Sequence, residues 1–147
     1  MKWFPVSRLQ RVNVYTDGAI RPEAGTSGMA AIVRDENGQV LYLWHRRAGK
    51  MTCNEAEYAA VSLALESLKS MKPQCIHIYS DSQVVVQQMQ GLAVTRAPAL
   101  KQAQLRLRTL VNEYERVEFH HIPRERNRLA DALANEAVEG QAGIGQA

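Results

Sequence analysis

RVNVYTDGA, Arg11 to Ala19, alternates Val12, Val14 and Thr16 with Arg11, Asn13 and Tyr15. This period-two pattern is that of a strand burying one face, and the reading ends it at Asp17. An aspartate followed by a glycine at a strand end ordinarily marks a turn. A second run of the same design, CIHIYSD (Cys75 to Asp81), also finishes on an aspartate. The segments between and after these two decide the architecture.

After a Gly/Pro-containing turn, GMAAIV (Gly28 to Val33) reads as a second strand. DENG (Asp35 to Gly38) is a hairpin turn, and VLYLWH (Val40 to His45) returns as a third strand. From Thr52 to Lys69 the apolar spacing becomes helical, with Thr52 or Asn54 as cap and Glu55 and Glu57 in the first turn, at the positive end of the helix dipole. CIHIYS is the fourth strand and residues 82–90 a short helix closed by Gly91. Residues 91–98 form a loop and 100–114 a helix. VEFHHI (Val117 to Ile122) is the fifth strand, and 127–139 a last helix.

That order, β-β-β-α-β-α-α-β-α, predicts an α/β fold: a five-stranded mixed sheet of three antiparallel strands, then parallel strands, with helices on both faces. Residues 10–139 form the domain, 1–9 an N-terminal extension in which Trp3 and Phe4 favour packing, and 140–147 a flexible Gly- and Ala-rich tail. In such sheets ligands bind at the carboxyl ends of the strands, where Asp17 and Asp81 fall.

Composition narrows the function. The chain has 147 residues, 46% hydrophobic and 22% charged, which suits one globular domain. No stretch approaches the roughly 20 apolar residues that span a bilayer. The start, MKWFPVSRLQR, lacks the pattern of a secretory signal, so a cytoplasmic monomer is expected. Cys53 and Cys75 form no CxxC motif, and neither a disulfide nor a sulfur–histidine zinc site is expected. A net charge of +3 favours polyanions only weakly. The basic residues gather, however, in 45–50, 96–108 and 124–128, as a nucleic-acid surface would have them.

The carboxylates carry the chemistry. Asp17 and Asp81 end strands, Glu57 sits early in a helix, and Asp131 sits in the first turns of the last helix. Four carboxylates facing one point would repel without a cation, and some would hold protons at neutral pH. Hard oxygen donors select magnesium or manganese.

YTDGA, TxNxAExxA (Thr52 to Ala60), YSDSQ (Tyr79 to Gln83) and NRLADALAN (Asn127 to Asn135) resemble, in order and spacing, the four signature segments of type 1 ribonuclease H. The resemblance runs from Val12 to Glu139. It implies a ribonuclease H-like fold and an endonuclease that cuts RNA paired to DNA, with Asp17, Glu57, Asp81 and Asp131 binding two Mg2+ ions, Mn2+ being possible. It also implies a mobile basic residue before the last aspartate, for which both His121 and Arg124 qualify. The pair His120–His121 reads equally as one buried and one exposed strand residue.

The resemblance further implies hybrid contacts by Thr52, Asn54, Ser82 and Gln83, and close approach of the Gly18 backbone to a ribose hydroxyl. Three departures stand out: Cys53 where many members have asparagine, PEAGTSG (Pro22 to Gly28) in place of a more neutral loop, and a short loop 91–98 in place of a basic handle. Arg96 and Lys101, with Arg106 and Arg108, are expected to compensate for the last of these. Transposases, integrases and resolvases built on related sheets resemble the chain less, and a pure binding module gains nothing from four carboxylates facing phosphate.

Overall fold

The computed structural model describes residues 10–140; the extension 1–9 and the tail from 141 onward lie outside the described residues. Five strands form one sheet: β1 (Arg11–Arg21), β2 (Thr26–Arg34), β3 (Val40–Ala48), β4 (Cys75–Ser80) and β5 (Val117–His121). They lie in the order β3-β2-β1-β4-β5. β1, β2 and β3 are an antiparallel meander, and β4 runs parallel to β1 and to β5. Four helices join them: α1 (Cys53–Ser67), α2 (Gln83–Met89), α3 (Pro98–Val111) and α4 (Arg128–Glu139). The mixed sheet expected from the element order is present.

Helices cover both faces, and β2 explains how. Its residues Ser27 to Val33 are all buried, which is why MAAIV reads as a continuous apolar run rather than an alternating one. Ala31 and Val33 join Val12, Val14, Ile76 and Ile78 in the core beneath α1 and α3, with Val61, Leu65 and Leu107. Gly28, on the other face, meets α4: a β-carbon there would lie 2.3 Å from the Ala134 carbonyl oxygen.

Two expectations are corrected. The strand carrying Asp17 does not end there. β1 pairs with β4 only as far as Thr16–Ser80, but it continues against β2 to Arg21–Thr26. Asp17 is therefore interior to β1, opposite Ala30, and stands just past the end of the parallel ladder. The turn comes later, in a single 3-10 turn at Pro22–Ala24 closed by Gly25. Glu57 stands in the second turn of α1, not the first, because the helix begins at Cys53. Its cap is Thr52, in a reciprocal box with Glu55: Thr52 N–H donates to Glu55 Oε1 at 2.9 Å and Glu55 N–H to Thr52 Oγ1 at 3.2 Å.

Candidate active site

The truncated pairing of β1 with β4 makes the site. Past Ser80, β1 has lost its neighbour on that side, and the Gly18 N–H donates instead to Glu57 Oε1 at 3.0 Å. α1 comes this close because Gly18 has no side chain: a β-carbon would lie 2.5 Å from the Ala56 carbonyl carbon and 2.7 Å from Glu57 N. Asp17, Glu57 and Asp81 each offer an oxygen within 4.8 Å of the other two, a cluster able to hold a metal ion. Asp17 is 3% exposed and Glu57 7%.

Asp131 closes the fourth side from α4. Asn127, just before that helix, donates through Nδ2 to the Thr16 carbonyl at 2.8 Å and fixes the helix start beside Asp17. One turn beyond Asp131, Asn135 donates to its carbonyl at 2.9 Å and to its Oδ1 at 3.2 Å. Ser80 shapes the Asp81 corner, its Oγ accepting from Ser82 N–H at 3.0 Å.

The electrostatics are those of carboxylates crowded in a largely buried site. Burial raises the Asp17 pKa first of all, and Glu57, Asp81 and Asp131 raise it further. Burial and then Asp81 raise Glu57, against the lowering effect of the Gly18 amide. Asp81 is raised by burial and by Asp131, while Arg124 lowers it. The donor set, all carboxylate oxygens, fits a hard divalent ion.

Of the two basic candidates, Arg124 faces the carboxylates, its Nη2 3.7 Å from Asp131 Oδ1. His121 is exposed at the end of β5, opposite Ser80 in the ladder, and His120 is partly buried. Thr52 and Cys53 are exposed at the start of α1, and Asn54 is partly buried beside them. The Cys53 thiol pKa is raised, by burial first and then by Glu57, Asp17 and Asp81, so it looks onto the cluster. Ser82 is buried as the cap of α2, accepting from Val85 N–H at 3.3 Å, whereas Gln83 is exposed. Arg96 and Lys101 are exposed, and among the described residues neither pairs with an acidic side chain. Arg106 and Arg108 are exposed but bonded to the protein itself, on Glu66 Oε1 at 2.7 Å and the Gln88 carbonyl at 2.9 Å.

The sequence pattern of the reverse transcriptase-like family matches residues 15–137. A ribonuclease H of Legionella pneumophila (strain Corby) is 31% identical over 144 residues, spanning 88% of this chain and 97% of that protein. The chain belongs to the ribonuclease H family. A ribonuclease HI of Halobacterium salinarum is 34% identical over 129 residues; these span 88% of this chain but 65% of that protein, less than two thirds of its length. The crystal structure of RNase H1 from that archaeon superposes with a TM-score of 0.85, covering 89% of this chain and 99% of the other. LC11-RNase H1, solved in complex with an RNA/DNA hybrid, is 34% identical with a TM-score of 0.81, covering 87% and 96%.

Set in the ribonuclease H family, the carboxylates were legible by type and order, but their supports were not. Asn127 and Asn135 flank Asp131 inside NRLADALAN, and their spacing was the available signal: Asn135 lies four residues on, on the same helix face. That Gly18 both lets α1 approach and lends its amide to Glu57 had no sequence signal, since it depends on where β4 stops.

Proposed function

We propose that the chain is a metal-dependent endonuclease that hydrolyses the RNA strand of RNA–DNA hybrids and leaves 5′-phosphate and 3′-hydroxyl ends. The observation that carries this is the convergence of buried Asp17 and Glu57 with half-buried Asp81, and Asp131 beside them, where ionisation is disfavoured until a cation arrives. The hybrid bound by LC11-RNase H1 supports the substrate class. Asp17, Glu57, Asp81 and Asp131 would hold two magnesium ions, or manganese in their place. When bound, such ions supply an activated water and neutralise charge on the phosphate and the leaving 3′ oxygen.

The chain's own residues do the positioning. Arg124 presents a cation beside Asp131, where it meets negative charge on the scissile phosphate. Thr52, Asn54 and Gln83 rim the carboxylates at two helix starts and serve the minor groove, where ribose hydroxyls tell RNA from DNA. Arg96 and Lys101, exposed and without an acidic partner among the described residues, are cations for phosphate. All four carboxylates come from one chain, so a monomer suffices for the site.

The test uses labelled RNA–DNA hybrid, double-stranded RNA and double-stranded DNA, each with magnesium, manganese or chelator. Cutting confined to the hybrid's RNA strand and abolished by chelator is expected. Asp17→Asn should lose activity by at least about 10³-fold while keeping its fold. Cutting of DNA, or hybrid binding without cutting, would overturn the assignment.

A further inference from the structure

A second cluster of metal-ligating side chains lies far from the carboxylates. Cys75 opens β4, six residues before Asp81, which places it about 20 Å away along the strand. Cys75, His77 and Tyr79 project from one face of β4, and register sets Glu118 beside His77 and His120 beside Tyr79 on that face. α4 packs on β1, β2 and β3, so among the described residues this part of the sheet is left partly open. Spacing alone does not reveal this cluster, because Cys75-x-His77 gains a third donor only when β5 brings Glu118 alongside.

The internal geometry suits an ion. Cys75 Sγ lies 3.2 Å from His77 Nε2, and one donor atom from each of Cys75, His77 and Glu118 lies within 4.8 Å of the others. A tetrahedral zinc ion bound to both sulfur and imidazole nitrogen separates them by about 3.5 Å, an adjustment of a few tenths of an ångström. His77 Nδ1 and His120 Nε2 are 2.7 Å apart. With Nδ1–H donating to His120, the Nε2 lone pair is left facing Cys75; this is the outer hydrogen bond that orients metal-binding histidines. Arg116 Nε holds Glu118 Oε2 at 2.5 Å, which leaves Oε1, 3.9 Å from His77 Nδ1, to turn toward an ion.

We propose that Cys75, His77 and Glu118 bind one borderline-soft divalent ion, zinc by preference, which ties the short edge strand β5 to β4. Sulfur and nitrogen donors select zinc over the magnesium that suits the carboxylates, so the two sites take different metals. The fourth position is open to water. The site stands independently of the nuclease reading, and none of its readouts uses catalysis.

The experiment is a cobalt(II) titration of the Cys53→Ser chain, in which Cys75 is the sole thiol, with excess magnesium filling the carboxylate cluster. A thiolate-to-cobalt absorption that saturates at one equivalent, is abolished by zinc and is missing when Cys75→Ser is added is expected. Zinc at about a hundredfold its Kd should raise Tm by roughly 5–10 °C over the metal-free protein, and by much less in Glu118→Gln. Both variants touch half-open positions, and metal-free Tm values near the parent's would verify that they fold. Cobalt binding without a sulfur band, or an equal zinc-induced Tm rise in Cys75→Ser and parent, would overturn the site.

Discussion

Arg124 and His121 precede Asp131 by seven and ten residues, and spacing alone does not choose between them. The chain's path favours Arg124. His121 ends β5 and is exposed there, whereas a 3-10 turn at Arg124–Arg126 brings the Arg124 guanidinium to within 3.7 Å of Asp131 and close enough to lower the Asp81 pKa. Arg124→Ala should therefore lower kcat by roughly 10- to 100-fold with little change in hybrid KM, because the cation acts where charge develops. Arg124→Lys should restore part of it. His121→Ala should remain within about twofold of the parent. Steady-state kinetics on one hybrid decides the matter; a larger loss in His121→Ala than in Arg124→Ala would reverse the assignment.

Two glycines, one on each face of the sheet, let the helices that carry Glu57 and Asp131 descend onto it. Gly18 receives α1 and Gly28 receives α4, and a β-carbon at either would strike helix backbone. Gly18→Ala must push α1 away, and Glu57 moves with it. The variant should lose on the order of 2–3 kcal/mol, seen as a Tm drop of roughly 5–10 °C. Because an ångström of misplacement costs about 10²-fold, activity at a temperature where it is folded should fall by that order. Gly49→Ala, with nothing within 4 Å of its added carbon, is the matched control and should be neutral. Equal Tm values for the two variants would remove the close approach as the reason for Gly18. These contacts also mark where sequence reading stops. Alternation along Val12–Thr16, the helical spacing after Thr52 and the turn DENG are local patterns, and they yielded the elements within a few residues. The end of β1 is not legible in such patterns, because its last residues are held by β2 alone. The alignment of His77 with Glu118, 41 positions apart, belongs to strand register, which period-two patterns leave undetermined.

The whole molecule should register its carboxylate cluster as a pH dependence of stability. In the metal-free protein Asp17 and Glu57 are raised to about 9 and about 8, and Asp81 is raised too. Unfolded carboxylates titrate near 4, so above that the native state binds more protons than the unfolded chain, and stability falls as pH rises. These groups contribute fully below about pH 4, and their contribution is lost as pH rises through the folded values. His77 acts oppositely: its lowered pKa makes stability rise with pH through about 6.5, the unfolded value. In the window from pH 7 to 9 the carboxylates therefore dominate, joined near its top by the raised Cys53 thiol, which acts in the same direction. In chelator, Tm should fall across that window. Asp17→Asn should flatten the fall and stabilise the metal-free protein near pH 8 by on the order of 2 kcal/mol, since it removes one charge from a buried like-charged group. Magnesium should restore the parent's Tm in a saturable way and do little for the variant, because the cation relieves the same repulsion. Calorimetry of both proteins at pH 7, 8 and 9, with and without magnesium, measures all three effects. A parent Tm that is level across the window in chelator would mean that the four carboxylates do not share one low-dielectric site, and the case for a cation there would fall with it.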